Sequence, residues 1–117
     1  MIDFSLSEEN RLVSQSVRGF ADAEIAPHIR EWDAAGEVHV EVFRQMGELG
    51  YLGAPIPDRY GGAGMDYISL ALICEELERA DTAFRVVMSV HVALNSLTLL
   101  WRLVTVWQRT VVANCIE

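Results

Sequence analysis

Apolar residues recur every three or four positions along most of the chain, a spacing that predicts helices rather than strands. Val13, Val17 and Phe20 mark one face of a first helix. Ser5 or Ser7 can cap its start, because a serine oxygen accepts hydrogen bonds from the free amides of the first turn. The chain therefore opens with an amphipathic helix.

Prolines and glycines divide the next part of the chain. Pro27 breaks or kinks the first helix, and a short second segment ends near Gly36. Val42 and Met46 mark a third helix, which stops at Gly50. Three helices are therefore expected before residue 51.

Two more helices are expected before residue 100. Asp66 can cap the fourth, with five apolar residues facing inward: Ile68, Leu72, Ile73, Leu77 and Ala80. Glu75, Glu76 and Glu78 are expected mostly outward, on a solvated face. Asp81 or Thr82 can cap the fifth, which runs to about Leu100 and is apolar nearly all round.

A Gly/Pro-rich loop at residues 54–66 is the one sizeable irregular segment before residue 100. Three of its residues, Gly61, Gly62 and Gly64, allow positive φ and close approach by another chain, because glycine has no side chain. The chain is thus predicted to be all-α, a bundle-like domain of about five helices over residues 1–100. Residues 101–117 are β-branched and uncapped, and the pattern leaves open a helical extension, a loose strand or poor order.

Composition limits the possible partners and the cellular location of the chain. Nine arginines against 17 acidic residues give a net charge of −8, which disfavours nucleic acid as a partner. The apolar run from Val86 to Trp101 is shorter than a membrane span needs, and the acidic N-terminus does not resemble a signal peptide. A cytoplasmic protein is expected.

No catalytic constellation or metal site can be derived from residue spacing. The glycines of the loop lack the preceding strand and the lysine of a phosphate loop, so a structural turn is the stronger interpretation. Ser89 and His91 are two apart on a helix and point to different faces. His91 is expected to be a core residue whose ring nitrogen finds one partner. Cys74 is expected to be a small buried hydrophobe.

Several ordered segments resemble the acyl-CoA dehydrogenase family. Residues 56–66 read Ile-Pro-Asp-Arg-Tyr-Gly-Gly-Ala-Gly-Met-Asp, similar to the family's Pro-x-x-Tyr-Gly-Gly-x-Gly-x-Asp loop. Residues 75–81 (Glu-Glu-Leu-Glu-Arg-Ala-Asp) and 89–91 (Ser-Val-His) resemble its next two helices. Residues 23–27 and 47–53 also fit, so the match covers about residues 3–100.

This resemblance implies the α,β-desaturation of acyl-CoA thioesters, with FAD as hydride acceptor and a carboxylate as base. It implies that the fifth helix lines the acyl-chain pocket through Ser89, Val90 and Ala93, with Leu94 and Leu97 beside them. It also implies that the loop from Tyr60 to Gly64 lets another segment pack closely and takes no part in the chemistry. The family's catalytic glutamate and main flavin motif have no counterpart in these residues. The chain is therefore expected to be a truncated piece that is inactive and binds no FAD alone.

Two other functions stay open, a non-enzymatic helical interaction module and a small acyl-binding protein without flavin. A fifth helix that is apolar all round also predicts exposed apolar surface, and hence an oligomer or other association.

Overall fold

The computed structural model describes residues 5–102. It contains no strand in that range, which confirms the predicted all-α fold. Its α-helices are α1 (Glu8–Phe20), α2 (Ile29–Ala35), α3 (Val40–Glu48), α4 (Tyr67–Ala80), α5 (Thr82–Val90) and α6 (Thr98–Arg102). A π-helical segment, Ala21–Ile25, extends α1, and 3₁₀ turns occupy Tyr51–Gly53 and Asp58–Tyr60.

A second π-helical segment, His91–Leu97, joins α5 to α6 without a break. We call α5, this segment and α6 together the fifth rod. Counted as rods, the described residues form five helices, as the hydrophobic pattern predicts. Within the fifth rod, the stretch Thr82–Trp101 is long and apolar enough to cross a membrane, but the core helix of a globular domain meets the same two criteria.

Acidic and hydroxyl side chains cap the three long helices as expected. Ser7 Oγ accepts the Asn10 amide at 3.1 Å at the start of α1, and Asp66 Oδ1 accepts the Ser69 amide at 2.7 Å at the start of α4. Asp81 caps α5 in the same way. Each of these oxygens satisfies an amide that the first helical turn leaves unpaired.

The core lies around α4, which packs against α1 on one side and α5 on the other. Helices α1 and α4 run in the same direction, since contacts near their starts and near their ends match in order. Eleven buried apolar side chains form the main cluster: Val17, Ile25, Val42, Met46, Tyr51, Ala54, Ile73, Leu77, Phe84, Met88 and Val92.

Two predictions about α4 are wrong. Ile68 is 53% exposed rather than inward, and Glu76 is 3% exposed rather than outward. The buried residues of α4 are Ser69, Ile73, Glu76 and Leu77, so its inward stripe begins one position after Ile68 and includes Glu76. Leu72 and Ala80 are partly buried.

The predicted domain boundary at residue 100 falls inside the fifth rod, which continues through Arg102. The rest of the predicted tail, residues 103–117, lies outside the described residues. The boundary and the conformation of that tail stay predictions.

The Gly/Pro-rich loop folds back on itself over Ile56. A Cβ on Gly62 would lie 2.1 Å from the Ile56 carbonyl oxygen, so only glycine fits there without a shift. Gly61 and Gly64 have φ of +86° and +64°, the left-handed region that disfavours other residues. Tyr60 packs against the buried Ile56 side chain.

We expect Gly62→Ala to lower the free energy of unfolding by about 1–3 kcal/mol, because the new methyl group forces backbone apart. Gly19→Ala is the matched control. Gly19 lies within α1 with open space around it, so alanine there should stabilise by about 0.5–1 kcal/mol. Urea unfolding followed by circular dichroism measures both, and equal effects of the two substitutions would contradict the close packing at Gly62.

Candidate functional site

The fifth rod has two contrasting sides. Its inward side repeats every four residues, with Phe84, Met88, Val92 and Ser96 all buried. Its outward side carries a line of exposed apolar residues, which we call the outward stripe: Val86, Val90, Ala93, Leu94 and Trp101. A helix that is apolar on both sides has one side committed to the core and the other left for a further partner.

The residues predicted to line a substrate pocket lie mainly on this outward side. Val90 and Leu94 are 44% and 66% exposed, and Ala93 is also exposed. Ser89 is partly buried, and its hydroxyl donates to the Val86 carbonyl at 3.1 Å. These four residues form an open surface rather than a closed cavity.

Leu97, the fifth predicted pocket residue, turns toward the Gly/Pro-rich loop. It is partly buried and packs against Ile56 and against the main core. Leu97 therefore joins the outward side of the rod to the loop. The sequence-based prediction omitted Val86 and Trp101, although the four-residue spacing from Val86 through Val90 to Leu94 places Val86 on the same stripe.

His91 does not find the predicted partner. Its ring is partly buried and Nε2 is shielded from solvent, with no hydrogen-bond partner among the described residues. The Ser96 hydroxyl, on the inward side of the same π-helical segment, is also buried and unpaired within residues 5–102. Both groups therefore sit at an energetic cost, since a buried polar atom without a partner loses its hydration.

The amides of the glycine loop are already occupied. Gly61, Gly62 and Gly64 donate to the carbonyls of Asp58, Pro57 and Ile56 at 2.9, 3.3 and 2.8 Å. A phosphate-binding loop needs free amides that converge on the ligand. The turn closes on itself instead, so it does not fit the diphosphate of a dinucleotide such as FAD.

Glu76, the buried carboxylate of α4, is held by a network that reaches across to α1. Arg18 donates to it through Nε at 2.9 Å and through Nη2 at 2.8 Å. Arg79 Nε and Ser14 Oγ donate at 3.1 Å each. The Arg18 hydrogen bond is the main cause that lowers the pKa of Glu76, opposed by burial. A carboxylate held this way is a weak base.

The Cys74 thiol and the possible metal ligands do not form a reactive site in the described residues. Burial raises the pKa of the Cys74 thiol, which makes it a poor nucleophile. No cluster of three or more histidine, cysteine or acidic side chains that could hold a metal occurs within residues 5–102.

A small cleft of about 100 Å³ between α2, α3 and α5 is walled by aromatic rings. His28 and His39 stack on Trp32 at 5.2 and 4.1 Å, while Phe43 and Phe84 stack at 5.0 Å. The rings thus cover one another's faces.

Comparison with known proteins identifies the fold. Residues 7–112 match the family model described as acyl-CoA dehydrogenase, N-terminal domain. The chain therefore belongs to the acyl-CoA dehydrogenase family and carries its helical N-terminal domain.

Individual relatives agree with this assignment. A probable acyl-CoA dehydrogenase of Bacillus subtilis, YngJ, is 46% identical over 79 residues, which cover 68% of this chain and 21% of the relative. The chain thus spans about a fifth of the length of that relative.

Solved structures extend the likeness over nearly the whole chain. Glutaryl-coenzyme A dehydrogenase in complex with glutaryl-CoA superposes with a TM-score of 0.92 at 32% identity, over 98% of this chain and 30% of that one. A glutaryl-CoA dehydrogenase from Mycobacterium smegmatis in complex with FADH2 gives a TM-score of 0.84 at 28% identity, over 95% and 28%.

We expect Glu76→Gln to destabilise the chain by about 2 kcal/mol, because the amide cannot accept two charge-assisted hydrogen bonds from Arg18. Glu75→Gln, the same change on the exposed neighbour, should alter stability by less than about 0.5 kcal/mol. Equilibrium unfolding in urea at neutral pH measures both. Equal values for the two variants would show that the network contributes nothing.

The lowered pKa of Glu76 also makes the folding stability of the chain depend on pH. A carboxyl whose pKa is lower in the folded state stabilises fully above its unfolded pKa. This contribution is lost as the pH falls through the lower, folded value. We therefore expect stability to decline below about pH 4, and Glu76→Gln to lessen that decline. Identical pH profiles for the two proteins would contradict the assignment.

Proposed function

We propose that this chain supplies one wall of the acyl-CoA site in a flavin-dependent acyl-CoA dehydrogenase and performs no desaturation by itself. The outward stripe carries the proposal. The inward side of the fifth rod packs against the core, which holds the exposed apolar residues of its outward side in place. In a chain of this family, such a surface is suited to contact a fatty acyl chain. Val90, Ala93 and Leu94 would form the wall, with Ser89 and Leu97 at its edges.

The wall would act through shape and exclusion of water. The side chains at its centre are short or aliphatic, so they hydrogen-bond no part of a substrate. Each methylene group that leaves water for an apolar surface gains up to about 0.8 kcal/mol. A residue such as Leu94 would therefore influence which acyl chains fit, because its bulk sets the available space.

The chemical step needs groups that these residues do not supply. Desaturation removes an α proton, which requires a carboxylate near the substrate, and the sequence from residue 82 to 102 contains no aspartate or glutamate. Glu76 is committed to Arg18 and Arg79. When bound, FAD supplies the hydride acceptor, but the closed amides of the glycine loop do not fit its diphosphate.

We expect titration with decanoyl-CoA to shift the backbone amide signals of residues 89–97 in nuclear magnetic resonance spectra, while free coenzyme A shifts them far less. Leu94→Asp should weaken this binding at least about tenfold, since it places a charge on the wall. Leu12→Asp is the matched control, because Leu12 is 60% exposed on α1, a different element.

Amide signal shifts confined to other helices would contradict the proposed acyl-chain wall. Equal weakening of decanoyl-CoA binding by Leu94→Asp and Leu12→Asp would contradict it as well. The alternative functions give distinct results. A self-sufficient acyl-binding protein would bind decanoyl-CoA tightly, and an interaction module would not bind it.

We expect the purified chain to carry no visible flavin absorbance and to reduce no electron-accepting dye when mixed with FAD and decanoyl-CoA. Turnover by the chain alone would overturn the proposal that base and flavin site lie elsewhere. Heat-treated chain serves as the control for uncatalysed dye reduction.

A further inference from the structure

The aromatic cleft of about 100 Å³ is a second concave surface, separate from the outward stripe. It forms where two turns meet, the one that links α2 to α3 and the one that links α4 to α5. Gly36, with a left-handed φ of +65°, ends α2 and turns the chain back toward α3. The residues that line this cleft include none of the five proposed wall residues, so it is a distinct feature of the domain.

Apolar groups make the walls of the cleft. The rings of Trp32 and Phe43 contact the ring of Phe84, with centroids 5.8 and 5.0 Å apart. Phe84 is itself buried, so contacts from α2, α3 and α5 hold this wall in place. Val87 lines the same space and is 46% exposed. Such walls suit an unbranched hydrocarbon stem, which leaves water when it enters.

Exposed carboxylates also line the cleft, and none of its lining residues is an arginine. Asp81 is committed to α5, because its Oδ1 accepts two amides of the first turn. Asp33 forms no ion pair among the described residues. The Glu37 carboxylate lies 3.9 Å from Nε2 of His39 and pairs with no arginine in that range. Asp33 and Glu37 are therefore available to a cation from outside the domain.

The size of the cleft favours one side chain over a metabolite. Sites for cofactors and drug-sized ligands enclose about 300–1,000 Å³. A space of about 100 Å³ holds roughly three water molecules. Lysine carries a compact cation on an unbranched apolar stem, which matches apolar walls beside two carboxylates, whereas the guanidinium of arginine is larger. The chain contains no lysine, so this side chain would belong to another polypeptide.

We propose that the cleft is a docking site for one lysine side chain of another polypeptide. The stem of the lysine lies against Phe43 and Phe84, and its ammonium group meets Asp33 and Glu37. Because both carboxylates are exposed, salt screens their attraction for the ammonium group. Binding is therefore expected to be weak and sensitive to salt. The proposal is independent of acyl-CoA binding, because the cleft shares no residue with the proposed wall.

n-Butylammonium, which reproduces the end of a lysine side chain, is the probe for the cleft. We expect its titration to shift the backbone amide signals of residues 32–39 and 81–87 in nuclear magnetic resonance spectra, with a dissociation constant of about 1–10 mM. n-Butanol has the same stem without the charge and should bind far more weakly. Raising the salt concentration from about 0.02 to about 0.3 M should weaken n-butylammonium binding at least about threefold.

Removing both carboxylates tests their role. The double variant Asp33→Asn, Glu37→Gln should raise the dissociation constant of n-butylammonium at least about fivefold. Glu8→Gln with Glu9→Gln is the matched control, since it removes two exposed carboxylates from α1, a different element. This control should leave the dissociation constant within about twofold of the original. Circular dichroism checks that both variants keep their helix content.

A short peptide with a central lysine identifies the source of the ammonium group. We expect it to bind at least as tightly as n-butylammonium, and the same peptide with norleucine in place of lysine to bind far more weakly. Binding of the free amine without binding of the lysine peptide would overturn polypeptide docking. Equal binding of n-butanol and n-butylammonium, equal effects of the two double variants, or signal shifts confined to other helices would overturn the site itself. The absence of any binding up to about 0.1 M n-butylammonium would overturn it as well.

Discussion

The attachment of α1 to α4 depends on one buried carboxylate. Glu76 is only 3% exposed, and a buried charge without a partner would be very costly. Two arginines and a serine meet it, and both arginines keep contact with solvent. Because Arg18 comes from α1 and Glu76 from α4, the pairing fixes how far one helix can slide along the other. Asn10, which donates to Asp66 and Ser69, fixes the opposite end of the same two helices.

This anchored pair explains why the fifth rod can leave one side open. Helix α4 holds α1 on one flank and α5 on the other, so Met88 and Val92 complete a core that is already positioned. The outward stripe lies on the other side of the rod from these core residues. The chain spans about a fifth of the length of its Bacillus subtilis relative, so the exposed outward stripe belongs to a domain that is one part of a longer protein in that relative.

The helices, their caps and the Gly/Pro-rich loop could be predicted from the sequence, because each depends on residues that are close together along the chain. Ser7, Asp66 and Asp81 are recognised by the helical residues just after them, and Gly50 by the helix it ends. The burial of Glu76 was not accessible in that way. Its partner Arg18 is 58 positions earlier, and a run of glutamates normally indicates a solvated face. Helical spacing from Ser69 and Ile73 was the available signal. The closed amides of the glycine loop likewise required coordinates, because spacing shows glycines but not their acceptors.

The π-helical segment His91–Leu97 has a geometric effect on everything beyond it. An α-helix turns about 100° per residue, so residues twelve apart would diverge by about 120°. Phe84 and Ser96 are twelve apart and both face the core, because the wider winding removes that drift. The segment thus keeps the inward side of the rod facing the core from Phe84 to Ser96. Losing a single residue within it would rotate the end of the rod, so that Trp101 would face a different direction relative to Val86.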